Sequence, residues 1–224
     1  WGKQGELPSQ FKEPCAIAAA GSGEIFVADT WNQRVQVFSK EGKYLREFAS
    51  GFYGPRGIAI DSKGTIFVSD TGNNRIVRFA ANGLKEAEWG GKGDQPGKFW
   101  EPSGLATDAK GDVYVADNGN GRLQIFSHDG QALGSFKVAG WESKVFSEPH
   151  VTIDPRGMIW VTVPGEKEIR RYDRSGQLLT TIKGQTFPTA HFETPMGIAF
   201  DPVAKTLVVT DLDHRLIRVP YADR

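Results

Sequence analysis

The sequence predicts an all-β protein, a β-propeller of four-stranded antiparallel blades, and three observations predict it. A four-residue lead-in occurs five times: Phe11-Lys12-Glu13-Pro14, Phe52-Tyr53-Gly54-Pro55, Phe99-Trp100-Glu101-Pro102, Phe146-Ser147-Glu148-Pro149 and Phe192-Glu193-Thr194-Pro195, with prolines 41, 47, 47 and 46 residues apart. A period of about 40–50 residues marks a unit that buries its faces only against copies of itself. Between lead-ins run short stretches rich in β-branched and aromatic residues, separated by Gly, Asn, Asp and Ser turns. No stretch holds apolar residues at helical spacing over three turns, and the 27 glycines among 224 residues exceed the usual ~7% and concentrate in the turns.

Repeat two shows the unit. Gly57–Asp61 is a short apolar strand, Ser62-Lys63-Gly64 turns, and Thr65–Asp70 is a second strand. After Thr71–Asn74 come Ile76–Phe79, the turn Ala81-Asn82-Gly83 and a last strand from Leu84 to Trp89. Asn82-Gly83 reads as a type I′ hairpin turn, which needs positive φ at both central positions. The same meander recurs at Ile25–Asp29 with Val35–Ser39, Val113–Asp117 with Leu123–Ser127, and Ile159–Val163 with Ile169–Asp173. Radial repetition of such units leaves only short sheet edges. The chain therefore reads as one domain over 1–224, with repeats near 11–51, 52–98, 99–145, 146–191 and 192–220.

Residues 1–10 read as the tail of a closing or preceding blade. Trp1-Gly2-Lys3-Gln4-Gly5-Glu6-Leu7-Pro8 matches Trp89-Gly90-Gly91-Lys92-Gly93-Asp94-Gln95-Pro96, the exit from repeat two's fourth strand, while Leu216–Val219 is a third strand with no fourth after it. A closed five-bladed ring would set Trp1–Lys3 beside Leu216–Val219; a six-bladed ring with one blade missing is the alternative. A chain opening in mid-motif reads as an excised domain with targeting information upstream.

Lys plus Arg and Asp plus Glu are 27 each, which argues against a dominant nucleic-acid or membrane-surface role. No apolar run reaches 18 residues, and the single cysteine, Cys15, allows no internal disulfide. A monomeric domain with no nucleic-acid partner is expected.

The hairpins Val27–Phe38, Val68–Phe79 and Val115–Phe126 resemble NHL repeats, a resemblance that spans essentially the whole chain and implies a propeller, usually of six blades. A narrower stretch, Ser135–Trp141 followed by Glu148–Asp154, is similar to NHL domains appended to bacterial membrane proteins of the glycosyltransferase kind, which implies an extracytoplasmic domain.

Asp, Asn and Arg recur at fixed spacing as Asp29/Asn32/Arg34, Asp70/Asn73/Arg75 and Asp117/Asn120/Arg122. Repeat five keeps Asp211 and Arg215 with one residue fewer, and repeat four has Val163-Pro164-Gly165-Glu166-Lys167-Glu168 instead. A carboxylate and a guanidinium flanking one hairpin can pair bidentately, and Asn tolerates the positive φ of a turn. A motif present in most blades is scaffold, and repeat four, lacking it, is expected to have the most irregular second hairpin. The five lead-in phenylalanines read as wedges between blades.

The lead-ins and the Asp-x-x-Asn hairpins fall on one face, with the first strands lining the channel. The residues after the lead-in prolines, Cys15, Arg56, Ser103, His150 and Met196, are then the candidate binding residues at the channel mouth. Trp31 and Trp100 lie in loops of that face, as platforms for sugars or partner side chains or as packing between blades. His150, His191 and His214 map to the same face. NHL-like peptide-amidating lyases place metal-binding histidines after several lead-in prolines, but only His150 matches here, so no metal and no cofactor is expected. No nucleophile elbow, His-Glu-x-x-His helix or phosphate loop occurs. The function expected is non-catalytic recognition of a protein, peptide or saccharide; a metal-dependent lyase or hydrolase and an RNA-binding NHL domain are the alternatives.

Overall fold

The computed structural model describes residues 1–141, 148–186 and 191–220. Strands β1 (Lys3–Gln4) and β2 (Gln10–Phe11) form a small parallel pair. Blade one follows with β3 (Ala16–Ala19), β4 (Ile25–Asp29), β5 (Arg34–Phe38) and β6 (Tyr44–Phe48). Blade two holds β7 (Pro55–Ile60), β8 (Ile66–Asp70), β9 (Arg75–Phe79) and β10 (Lys85–Gly90). Blade three holds β11 (Pro102–Thr107), β12 (Val113–Asp117), β13 (Arg122–Phe126) and β14 (Ala132–Lys137). Blade four holds β15 (Val151–Ile153), β16 (Ile159–Val163), β17 (Glu168–Tyr172) and β18 (Leu178–Lys183). Blade five has three strands, β19 (Pro195–Asp201), β20 (Thr206–Asp211) and β21 (Arg215–Pro220). Each of the five blades is an antiparallel meander in chain order. The first strands stand side by side from β3 through β7, β11 and β15 to β19, and among the described residues no comparable contact joins β19 back to β3.

The core lies between blades. Val35 and Val37 of blade one pack with Phe52, Ile58, Ile66 and Val68 of blade two, and Ile76 packs with Phe99, Val113 and Phe126. Leu123 and Ile125 meet Val151 and Val161, and Ile169 and Ile182 meet Phe192 and Leu207. The lead-in phenylalanines Phe52, Phe99 and Phe192 are fully buried wedges at these junctions, each worth about 1.5–3 kcal/mol. Phe11 is half-buried and covered by Trp1, and Phe146 and Ser147 lie outside the described residues.

Three expectations are corrected. In the Asn82-Gly83 turn only Gly83 has positive φ, at 86°, and its N–H donates to the Ala80 carbonyl. The turn is therefore a type I turn ending in a left-handed glycine, with the extra residue absorbed where the β9–β10 register shifts between Lys85 and Ala87. The second hairpin of repeat four is as regular as the others, pairing β16 with β17 without a break from Ile159↔Tyr172 to Val163↔Glu168. The backbone sets this turn: a three-residue 3-10 turn ends on left-handed Lys167, whose N–H donates to Pro164, as Gln33, Asn74 and Gly121 do in the first three blades. Finally, Lys3–Gln4 pairs with Gln10–Phe11, and among the described residues no fourth strand joins β21. Trp1 belongs to blade one's surroundings, its ring 4.4 Å from that of Phe38.

Candidate functional site

The lead-ins and second hairpins share one face because their backbones hydrogen-bond: Trp31 N–H donates to Lys12, Gly72 to Tyr53, Gly119 to Trp100 and Leu212 to Thr194. In each of these four blades the aspartate that starts the hairpin ties the same two loops from beneath. Asp29 accepts the Lys12 N–H at 2.8 Å, Arg34 Nε at 2.9 Å, Asn32 Nδ2 at 2.9 Å and Gln36 Nε2 at 2.9 Å. Asp70 accepts from Tyr53 N, Asn73 and Arg75 Nε, and Asp117 from Trp100 N, Asn120, Arg122 Nε and Gln124. Asp211 accepts from the backbone of Glu193 and Thr194 and from Arg215. All four carboxylates are buried.

The pairing in the first three blades is not bidentate. Arg34 gives one donor to Asp29 and sends the others to Glu47, Leu7 O and Gln10 O. Each arginine thus pins the preceding loop as well as its own hairpin. The asparagines also differ from expectation: the left-handed residue is the one after each, and Asn32, Asn73 and Asn120 donate to Gly5 O, Gly51 O and Gly93 O.

The post-proline residues do not form a set of free side chains. Ser103 is only 1% exposed; its hydroxyl donates to Pro149 O at 3.0 Å and its carbonyl accepts from Ser69 at 2.6 Å. The first strands approach too closely for anything else: a Cβ on Gly57 would stand 2.1 Å from Ser103 O, and one on Gly104 would stand 2.5 Å from His150 Cα. Half-buried His150 is held through its backbone by Thr162, and burial pushes its imidazole down to about 4, so it is neutral near pH 7. The Met196 carbonyl accepts from Thr162 at 2.9 Å, and Cys15 Sγ lies 3.5 Å from Glu13 O. Arg56 forms an ion pair with Glu148 and places its guanidinium 5.7 Å from the Trp31 ring centre.

Among the described residues no three His, Cys, Asp or Glu side chains gather as a metal site. His191 pairs with Glu193 at 2.8 Å, and His214 is the left-handed residue of its hairpin.

What the face does present is aromatic. Trp31, Tyr53 and Trp100 are 40%, 57% and 48% exposed on three consecutive blades. Tyr53 and Trp100 lie across Gly72 and Gly119, where an added Cβ would stand 2.1 and 2.6 Å from the rings. In blade one the roles are exchanged, with Lys12 in the lead-in and Trp31 in the hairpin. Trp31 Nε1 donates to Glu13 at 2.9 Å, and Lys92 Nζ stands 5.5 Å from the Trp100 ring centre. Tyr53 was not singled out from sequence. The signal for it is the constant 19-residue offset of the pairs Lys12/Trp31, Tyr53/Gly72 and Trp100/Gly119.

Comparison with known proteins agrees with this architecture. The NHL repeat pattern matches residues 11–38, 52–79 and 99–126. The B-box type zinc finger protein ncl-1 of Caenorhabditis elegans is 50% identical over 44 residues, 20% of this chain and 5% of that protein. Protein brain tumor of Drosophila melanogaster is 42% identical over 48 residues, 21% of this chain and 5% of that protein. The matches thus span a twentieth of these curated relatives. Among solved structures, virginiamycin B lyase from Staphylococcus aureus superposes with a TM-score of 0.66 at 17% identity over 92% of this chain and 69% of its own. A Bacteroides caccae protein of unknown function gives 0.69 at 14% identity over 93% and 78%. At such identities the likeness is one of fold. Five blades of one architecture, three of them matched by the repeat pattern, make this chain an NHL-repeat β-propeller.

Proposed function

We propose that this propeller is a non-catalytic recognition domain that binds a protein, peptide or saccharide on its loop face. The observation that carries the reading is the row Trp31, Tyr53 and Trp100, one half-exposed ring per blade from the hydrogen-bonded pair of lead-in and hairpin loops. Flat rings on a rigid scaffold offer large contact area at small entropic cost, and loops held this way are where binding concentrates. Glu13, which accepts from Trp31 Nε1, places a carboxylate beside that ring, while Arg56 and Lys92 stand over the Trp31 and Trp100 rings, so the face offers both acceptors and donors to a peptide or a saccharide. Arg56, stacked near Trp31, supplies the polar contact at the channel mouth; Ser103, buried and bonded, supplies none. The placement at a bacterial membrane implied by the Ser135–Asp154 resemblance draws no support from the two curated relatives, which are animal proteins.

The test is screening of peptide and glycan arrays with the wild-type chain and with the triple variant Trp31→Ala, Tyr53→Ala, Trp100→Ala. Ligands retained by the wild type should bind the folded variant at least tenfold more weakly, about 1.4 kcal/mol. Equal binding by the two proteins would remove the aromatic row from the site.

A further inference from the structure

The three rings of the loop face stand on lead-in loops whose main chain is already paired. The N–H groups of Lys12, Tyr53 and Trp100 donate to Asp29, Asp70 and Asp117, and the carbonyls of the same three residues accept from Trp31, Gly72 and Gly119. Extended peptides draw much of their affinity from main-chain hydrogen bonds, and amphipathic helices from an apolar groove. Here the lead-in main chain is occupied by the hairpins, and the rings stand one to a blade, Tyr53 across Gly72 and Trp100 across Gly119. What remains open to a ligand belongs to side chains. Among the described residues Tyr53 Oη and Trp100 Nε1 have no hydrogen-bond partner, and both side chains are about half exposed.

The charges around the rings are of both signs. Glu13 accepts from Trp31 Nε1, Arg56 stands over the Trp31 ring with Glu148 as its partner, and Lys92 Nζ stands 5.5 Å from the Trp100 ring centre. Such a mixture suits a polyanion poorly, since polyanions bind to clustered cations. It suits hydroxyl groups, which accept from an ammonium or an indole N–H and donate to a carboxylate or a phenol oxygen. An aromatic face carries negative partial charge, so it also attracts the weakly positive C–H hydrogens of an aliphatic ring laid upon it. Pyranoses combine both properties. With their hydroxyls equatorial, their axial C–H bonds leave each face flat enough to stack.

Resting on the recognition role of the row, we propose that its ligand is a neutral, linear oligosaccharide of β-linked pyranoses with equatorial hydroxyls. Its sugar rings stack on Trp31, Tyr53 and Trp100, and Tyr53 Oη, Trp100 Nε1 and Lys92 Nζ hold its hydroxyls. Because the aromatic rings lie on three consecutive blades, affinity rises with the length of the glycan.

Cellohexaose is the probe, titrated by calorimetry into the 224-residue chain, while saturation-transfer NMR reads which sugar hydrogens touch the protein. A dissociation constant of about 1 mM or lower is expected, with transfer strongest to the axial ring hydrogens. Cellobiose, too short to span the row, should bind about tenfold more weakly. Tyr53→Ala and Trp100→Ala should each weaken cellohexaose about tenfold, and Tyr53→Phe and Lys92→Met about threefold. These side chains are exposed, so circular dichroism should show unchanged folds. No binding of cellohexaose, chitohexaose or laminarihexaose at millimolar concentration would overturn the proposal. If a decaproline peptide then binds through the same rings, the saccharide assignment fails and the recognition role of the row stands. Glycan binding that survives the triple variant Trp31→Ala, Tyr53→Ala, Trp100→Ala would overturn both.

Discussion

Arg56 and Glu148 form an ion pair that links blade two to blade four, two blades that are not neighbours in the chain. Both side chains are about four-fifths buried, at 20% and 21% exposure, and the guanidinium also stands over Trp31 of blade one. A single arginine after one lead-in proline therefore ties together blades one, two and four.

The pair should register in a double-mutant cycle. Arg56→Met and Glu148→Gln should each lower stability by about 1 kcal/mol, and the double variant by clearly less than their sum, with a coupling of about 0.5–1 kcal/mol. Urea denaturation measures all four proteins. Strict additivity would mean that the pair contributes nothing to the ring.

Removing a hairpin aspartate should cost far more. Asp117→Ala leaves Arg122, with its side chain 11% exposed, beside an uncompensated site and strips acceptors from Trp100 N–H, Asn120 and Gln124. A loss of about 3 kcal/mol is expected by chemical denaturation. Asp70→Ala should lose about 2 kcal/mol, because Arg75 is 21% exposed and can recover water. A change below 0.5 kcal/mol in both would show that these aspartates do not hold the loops together.

His150 makes stability pH-dependent. Its imidazole titrates near 6.5 in the unfolded chain and near 4 in the fold, where burial disfavours the charged form. Between those values the unfolded state binds the proton and the folded state does not. The stability present above pH 6.5 is therefore lost as pH falls toward 4, up to about 3 kcal/mol by linkage. His150→Leu should flatten this part of the profile in thermal melts at pH 7, 5.5 and 4.5. A slope equal to the wild type's would show that the imidazole is solvated in the fold.

The sequence by itself determined the unit and its repetition. Phe-x-x-Pro lead-ins, β-branched runs and glycine-closed turns are local signals whose backbone consequences need no partner, and they specify five meanders on one architecture. The Asp-Asn-Arg spacing likewise marked the hairpins as scaffold, since the same residues recur blade after blade. Tertiary structure decided everything that depends on which blade stands next to which. Ser103 and Arg56 follow equivalent prolines, yet one is sealed by the neighbouring first strand while the other reaches past blade three to Glu148. Ile169 and Leu216 hold equivalent positions in their hairpins, and among the described residues only the first is buried against the next blade. Local sequence fixes dihedral angles and the facing of side chains, whereas burial is a property of the space between repeats and is set when the blades pack.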